Sequence, residues 1–250
     1  MKESLASTLF AACVRAIQRG ELIERESRRD KEFHFQNWFK RRLETAGMDY
    51  DSPGRNSYPD FRLPKLAEGF ELKGLAYPGR EANYDCNSRI PCAEHDGLQV
   101  YYVFGRYPRN PDGARYPVLD LVLCHGSFLN AETAYVHKNR SFRGFGSYGD
   151  ILIRDRKMYV APTPFALVRG TAHRRTLILP VEHPVGDGLV AVGTLTRRET
   201  DRIVLAYRFD LRTNEIKTAD AANPYAGREH IFRAYRVQGD PQQAVSLRVR

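Results

Sequence analysis

An α/β or α+β fold is what this sequence predicts, with helices first, a mixed central β-sheet flanked by them next, and β-rich hairpins last. Three observations predict it. Apolar residues recur at helical spacing only before Gly47, short apolar or aromatic runs bounded by turn residues take over from Tyr58, and the strand-like texture resumes from Ile151 onward.

Leu5, Leu9, Cys13 and Ile17 recur every four residues between Ser4 and about Gln18, which makes one stripe of an amphipathic helix ending near Gly20. A second helix is expected after a cap at Ser27 or Asp30. Phe35, Phe39, Leu43 and Ala46 form its buried stripe, and Gly47 supplies a left-handed stop. After a loop, strands are expected at Tyr58 to Leu63, Gly69 to Ala76, Gln99 to Phe104 and Val118 to Cys124. Further strands follow at Ile151 to Ile153, Lys157 to Val160, Thr176 to Leu179, Leu189 to Thr194 and Arg202 to Phe209. Residues 139–149 interleave Arg, aromatic residues and Gly, which reads as a mobile surface loop. Residues 1–169 are expected to form a core with the N-terminal helices, and residues 170–250 a β-rich C-terminal extension that can belong to the same domain.

With 42% hydrophobic residues in 250, the chain can bury a substantial core, so disorder is not the default. Lys and Arg outnumber Asp and Glu by 39 to 30, a formal net charge of +9 that favours a polyanionic partner. No apolar run approaches the roughly 20 residues that span a bilayer, and a mean hydropathy of −0.52 agrees. The start lacks the features of a signal peptide, so the expectation is a cytoplasmic protein without a membrane partner. Cys13, Cys86, Cys92 and Cys124 are too irregularly spaced for a disulfide framework, and Cys86, Cys92, His95 and Cys124 match no paired zinc-ligand spacing.

The most informative segment is Tyr58-Pro59-Asp60-Phe61-Arg62-Leu63 with Gly69-Phe70-Glu71-Leu72-Lys73-Gly74 after it. Side chains alternate along a strand, so Glu71 and Lys73 project from one face while Leu72 points to the opposite, apolar side. If the two segments pair as neighbours, Asp60 comes beside Glu71, and two carboxylates can bind a hard divalent cation such as Mg²⁺. Lys73 is then placed to orient a water and help it lose a proton. Asp155-Arg156-Lys157 and Glu215-Ile216-Lys217 are also acidic-x-Lys triplets, but they read as hairpin surfaces and follow no Pro-Asp at the right distance.

Pro59-Asp60, ten intervening residues and Glu71-Leu72-Lys73 resemble the signature of the PD-(D/E)XK nuclease superfamily. Residues 84–91, 101–108 and 120–126 look similar to type II restriction endonucleases, and the resemblance extends through Phe165. It implies a restriction-endonuclease-like core in which Asp60 and Glu71 hold Mg²⁺, the Leu72 main-chain carbonyl completes the metal shell, and Lys73 activates water. Members of that superfamily often add an acid from a helix before the first strand. Glu32 is the candidate, because it continues the stripe of Phe35 and Phe39 toward the sheet.

The implied activity is sequence-specific, Mg²⁺-dependent hydrolysis of double-stranded DNA to 5′-phosphate ends, with a homodimer cutting both strands. Nicking, repair or cleavage of modified DNA would use the same residues. A DNA-binding protein that has lost activity is the reading from another class. Candidate DNA contacts are Arg80, Arg89, Arg106, Arg109 and Arg115 around the catalytic strands, Arg140 and Arg143 in the Gly-rich loop, and Asn87, Asn130 or Asn139 for adenine. His34 and His125 are further candidates for approach to the site.

Overall fold

The computed structural model describes residues 5–26, 31–52, 57–87, 89–131, 146–155 and 158–249. It is a mixed α/β structure with far more strand (43%) than helix (17%), so the helices cover only part of the sheet. Helix α1 spans Leu5–Gln18 and α2 spans Lys31–Thr45, with the two-residue strand β1 (Ile23–Glu24) between them. Strands β2 (Phe61–Leu63), β3 (Glu68–Tyr77), β4 (Asn83–Asn87), β5 (Glu94–His95), β6 (Leu98–Pro108), β7 (Arg115–Tyr116) and β8 (Asp120–His125) follow. After them come β9 (Leu152–Asp155), β10 (Met158–Pro162), a single helical turn α3 (Pro164–Leu167) and β11 (Val168–Arg169). The C-terminal part holds β12 (Arg175–Pro180), β13 (Leu189–Arg198), β14 (Arg202–Asp210), β15 (Glu215–Ala222), β16 (Glu229–Val237) and β17 (Ser246–Leu247).

The central sheet has eight strands in the order β13-β16-β12-β8-β6-β3-β2, with β5 added on β6. It is mixed, because β3 runs parallel to β6 and β12 parallel to β8, while the remaining neighbours are antiparallel. The sheet crosses residue 170 without a break, since β12 pairs with β8 over Arg175↔Leu121 to Ile178↔Cys124. Among the described residues no helix is long and apolar enough to cross a membrane.

Alternation sorts the sheet into two apolar faces. Phe70, Leu72, Tyr101, Val103, Leu121 and Leu177 point toward α1 and α2, where Leu9, Phe10, Phe35, Trp38, Phe39 and Leu43 meet them. Val100, Tyr102, Phe104, Val122, Cys124 and Ile178 point the other way. That second face is covered by the small sheet β4-β10-β9 through Tyr84, Cys86, Tyr159 and Ala161, and by Phe165, Val168 and Val245. The predicted stripes are buried at Leu5, Leu9, Cys13, Phe35, Phe39 and Leu43, while Ile17 and Ala46 are half-buried and Ala46 lies just past α2, which stops two residues before Gly47 at φ 64°.

One close approach fixes how α2 lies on the sheet. Phe35 is fully buried and stacked on Trp38, with ring centroids 6.0 Å apart. Its ring sits over Gly105 of β6, so that a Cβ at Gly105 would fall 2.2 Å from Phe35 Cε2. Gly105→Ala must therefore displace a locked aromatic ring, and it is expected to cost about 1–3 kcal/mol of stability. A urea melt reads the effect as a lowered midpoint at constant slope, and an unchanged midpoint would show that α2 is free to shift.

Candidate active site

The site is built at the β2–β3 edge of the sheet. The ladder pairs Phe61 with Phe70 and Leu63 with Glu68, while Arg62 turns its main chain outward to exchange both bonds with Asp51 (2.7 and 2.8 Å). The ladder ends at Phe61, and residues 58–60 form a bend that brings Pro59 against Gly69. Beyond the last rung the Leu72 N–H donates to the Asp60 carboxylate, at 2.8 Å to Oδ2, so Asp60 lies beside the strand that carries Glu71 and Lys73.

Gly69 lets the turn come this close. A Cβ there would lie 2.5 Å from Pro59 Cγ, so any side chain at Gly69 would push the Pro59-Asp60 segment off the strand. The adjoining Tyr58–Pro59 peptide is cis, and the Arg62 guanidinium donates to the Tyr58 carbonyl at 2.6 Å.

Glu71 and Lys73 share the face away from the helices, as Leu72 lies in the helix-side core. Lys73 Nζ is 2.8 Å from Glu71 Oε1, and both side chains are largely buried, at 15% and 12% exposure. Glu71 Oε2 is buried and has no hydrogen-bond partner among the described residues. An orphaned carboxylate oxygen beside a second carboxylate is the donor set a hard divalent cation fits. Among the described residues no three His, Cys, Asp or Glu side chains converge, so the acidic pair and a main-chain oxygen are what the site offers.

Neutral groups line one side of the pair. The Tyr58 hydroxyl is hydrogen-bonded to the Tyr102 hydroxyl (2.5 Å) and to Cys92 Sγ (3.2 Å). Burial pushes both phenols well above their ordinary range, and the negative charge of Glu71 adds to the shift. The Cys86 thiol is pushed up to about 12 and that of Cys92 is raised, in both cases by burial. All four cysteines are free buried thiols, so Cys86, Cys92 and Cys124 are packing groups here. Tyr58, Tyr102 and Cys92 were missed in the sequence. Only the position of Tyr58, two residues before Asp60, could have pointed to it.

The predicted DNA contacts divide by burial. Arg80 follows β3 in an exposed turn, bonds Asp85 at 2.8 Å, and lines a cavity of about 220 Å³ together with Lys73, Asn83 and Tyr84. Arg89 lies over the Tyr58 ring, 4.8 Å from its centroid, and reaches the His95 imidazole at 2.9 Å. Arg109 is exposed at the end of β6, and Arg115 is exposed on the separate β1–β7 pair, 3.8 Å from Glu24. Arg106 is a core residue, 3% exposed. It is bonded to the buried Asp120 (2.8 and 2.9 Å) and covered by the Tyr77 and Phe165 rings, so its guanidinium is spent inside the fold. Asn130 is buried as well, donating to the Pro91 carbonyl and accepting from Ser147. Asn139, Arg140 and Arg143 lie outside the described residues, as do the side chains of Glu32 and Asn87.

Neither histidine candidate joins the site. His34 is buried against the Tyr116 hydroxyl at 3.2 Å. His125 bonds Gln99 (2.8 Å) and Ser127 (2.6 Å) and lines a cavity of about 550 Å³ with His183 and His230, beyond the ends of β8 and β12. Comparison with protein-family profiles, curated proteins and solved structures found no match to this chain.

Burial, helped by the neighbouring His183, lowers the His125 pKa to about 4. In the unfolded chain the same ring takes up its proton near the ordinary value of about 6.5. Its contribution to stability is therefore complete above the unfolded value and is lost as pH falls from there toward about 4. The expected loss across that window is on the order of 2–3 kcal/mol. His125→Gln should flatten the stability-against-pH curve there, and an identical slope in the variant would assign the effect to other groups.

Proposed function

We propose that this chain is a metal-dependent phosphodiester hydrolase acting on double-stranded DNA, with a site of the PD-(D/E)XK kind and the type II restriction endonucleases as its class. One observation supports this above the others. Asp60 is tied to the main chain of the strand that carries the Glu71–Lys73 pair, where Glu71 Oε2 is buried with no hydrogen-bond partner among the described residues. Three separated positions in the sequence thus contribute to one small patch.

Asp60 and Glu71 would hold Mg²⁺, with the Leu72 carbonyl as a further oxygen donor. When bound, the ion supplies a water of lowered pKa and positive charge beside the phosphoryl oxygens. The chain's own groups do the rest. Asp60 is held in place by the Leu72 N–H, and Lys73 holds Glu71 Oε1 and stands where it can orient the attacking water. The neutral Tyr58, Tyr102 and Cys92 keep bulk water from screening these charges, so each interaction is stronger than it would be at the surface. Arg80, which lines a cavity with Lys73, and Arg89, which lies over the Tyr58 ring, would position the phosphate backbone. Cleavage leaves a 5′ phosphate, and two copies related by a two-fold axis would cut both strands of a palindrome.

Plasmid incubated with purified protein and Mg²⁺ tests the reading. Discrete fragments are expected, with no cutting in EDTA. Nicked circles would reassign the same site to single-strand cleavage, and retardation without cleavage would make the chain a binder. Asp60→Ala and Lys73→Ala are each expected to slow cutting at least about a hundredfold while retarding DNA as before. Full-rate cutting by Lys73→Ala removes the lysine from the mechanism.

Gly69→Ala reaches the same site indirectly. By displacing Pro59 it should lower the cleavage rate by about tenfold to a hundredfold. A variant that cuts like the parent would show that Asp60 does not depend on that contact.

A further inference from the structure

The β14–β15 hairpin stands apart from the rest of the sheet. It pairs with no other strand among the described residues. At its base Ile203 is buried, and Val204 and Tyr207 pack on the second core. Its outer end is not covered: Leu211 in the turn is 88% exposed, Ile216 is 55% exposed, and seven of the eight residues of β15 are exposed.

Charge decides what kind of partner suits this arm. Residues 201–222 contain Arg202, Arg208, Arg212 and Lys217 against Asp201, Asp210, Glu215 and Asp220, so the arm is neutral in a chain of net charge +9. A ribbon that gripped phosphates would carry a basic surplus. An exposed apolar end on a neutral arm fits a protein surface better.

The charges are also ordered. The hairpin register puts Asp210 opposite Glu215 and Arg208 opposite Lys217, so an acidic rung lies beside a basic one. Like charges directly opposite are unfavourable. Lys217 relieves part of this by reaching diagonally to Asp210 at 3.3 Å. Arg208 and Glu215 have no ion-pair partner among the described residues.

We propose that the outer edge of β15 docks on the same edge of a second copy of this chain, antiparallel about a two-fold axis at Ile216. A strand paired with itself about residue 216 sets Ile216 against Ile216 and each Glu215 against Lys217 of the second copy. The acidic rung of each arm then meets the basic rung of the other, and the exposed Ile216 side chains are covered. The contact is isologous, as closed two-fold assemblies require. Its area is small, so the dimer belongs at the weak end of specific association and dissociates in the micromolar range. This inference does not rest on the nuclease reading, although a dimer would serve it.

Sedimentation equilibrium of the full chain across micromolar concentrations provides the test, because it reads mass and not cleavage. The parent is expected to rise from 28.6 kDa toward twice that mass. Glu215→Lys and Lys217→Glu should each remain single chains, since each places like charges across the axis twice. An equimolar mixture of the two variants should regain the parent's dimer, because their charges then complement at both contacts. Misfolded variants could not do this. A parent that stays monomeric, or a mixture that fails while the parent dimerises, overturns the proposal. Unchanged mass with weakened DNA retention in both variants would also overturn it, in favour of a nucleic-acid arm.

Discussion

The bond from the Leu72 N–H to the Asp60 carboxylate is the interaction on which the site depends. The β2–β3 ladder ends at the Phe61–Phe70 rung, so it offers no main-chain acceptor for the next inward-facing N–H of β3, that of Leu72. A buried N–H left without an acceptor is costly, and the Asp60 carboxylate is the group that satisfies it. The side chain is thereby held to the main chain of β3, beside the Glu71–Lys73 pair. Gly69 supports this sterically, since only a residue without a side chain lets Pro59 lie so close to the strand. The order Pro-Asp thus works as a unit, in which Pro59 packs on Gly69 and Asp60 caps the open N–H beyond the ladder.

The division of the sheet into two faces gives that device its setting. One face is apolar and is used up by α1 and α2, so Leu72 is buried there while Glu71 and Lys73 turn to the opposite side. The other face meets a small sheet that contributes phenols and thiols. Burial pushes up the pKa of Tyr84 and Cys86 there, and beside them the Tyr58 hydroxyl hydrogen-bonds both the Tyr102 hydroxyl and Cys92 Sγ. On that side the Glu71–Lys73 pair has neutral phenols and thiols as neighbours, while Asp60 and Arg80 bring charge to it from the strand edge. Such surroundings hold a pair of charges in one geometry without quenching them, whereas the same pair on an open strand would contribute little.

Much of this was legible in the sequence, for reasons that also mark where legibility ends. The stripes Leu5-Leu9-Cys13 and Phe35-Phe39-Leu43 stand out because each helix has one covered face. Glu71 and Lys73 could be assigned to one side of a strand from parity alone. Strand β16 escaped because its sequence, Glu229 to Val237, carries three charged residues and three aromatic or imidazole rings. It is nonetheless an inner strand, with Arg236 fully buried and bonded to Thr176, Pro241 and Gly170. Strand β15 escaped for the opposite reason, since it has almost no buried face to produce a pattern. The Tyr58–Tyr102 contact joins residues 44 apart, and nothing local encodes a pairing of that kind.

The arginines show why composition is a poor guide to a binding surface. Arg106, Arg175 and Arg197 are each paired with a carboxylate inside the fold, from Asp120, Asp240 and Asp150, and Arg236 is held by main-chain carbonyls. The three pairs cancel within the structure and present little field to a ligand. Arg236 keeps its charge but is too deeply buried to touch one. What remains for a polyanion is set by position, and the exposed Arg80 beside Lys73 counts for more than several buried guanidinium groups. A sum over the whole sequence gives all of these equal weight. The fold does not, because a buried, paired arginine is neutralised within the structure and only an exposed one can attract a polyanion.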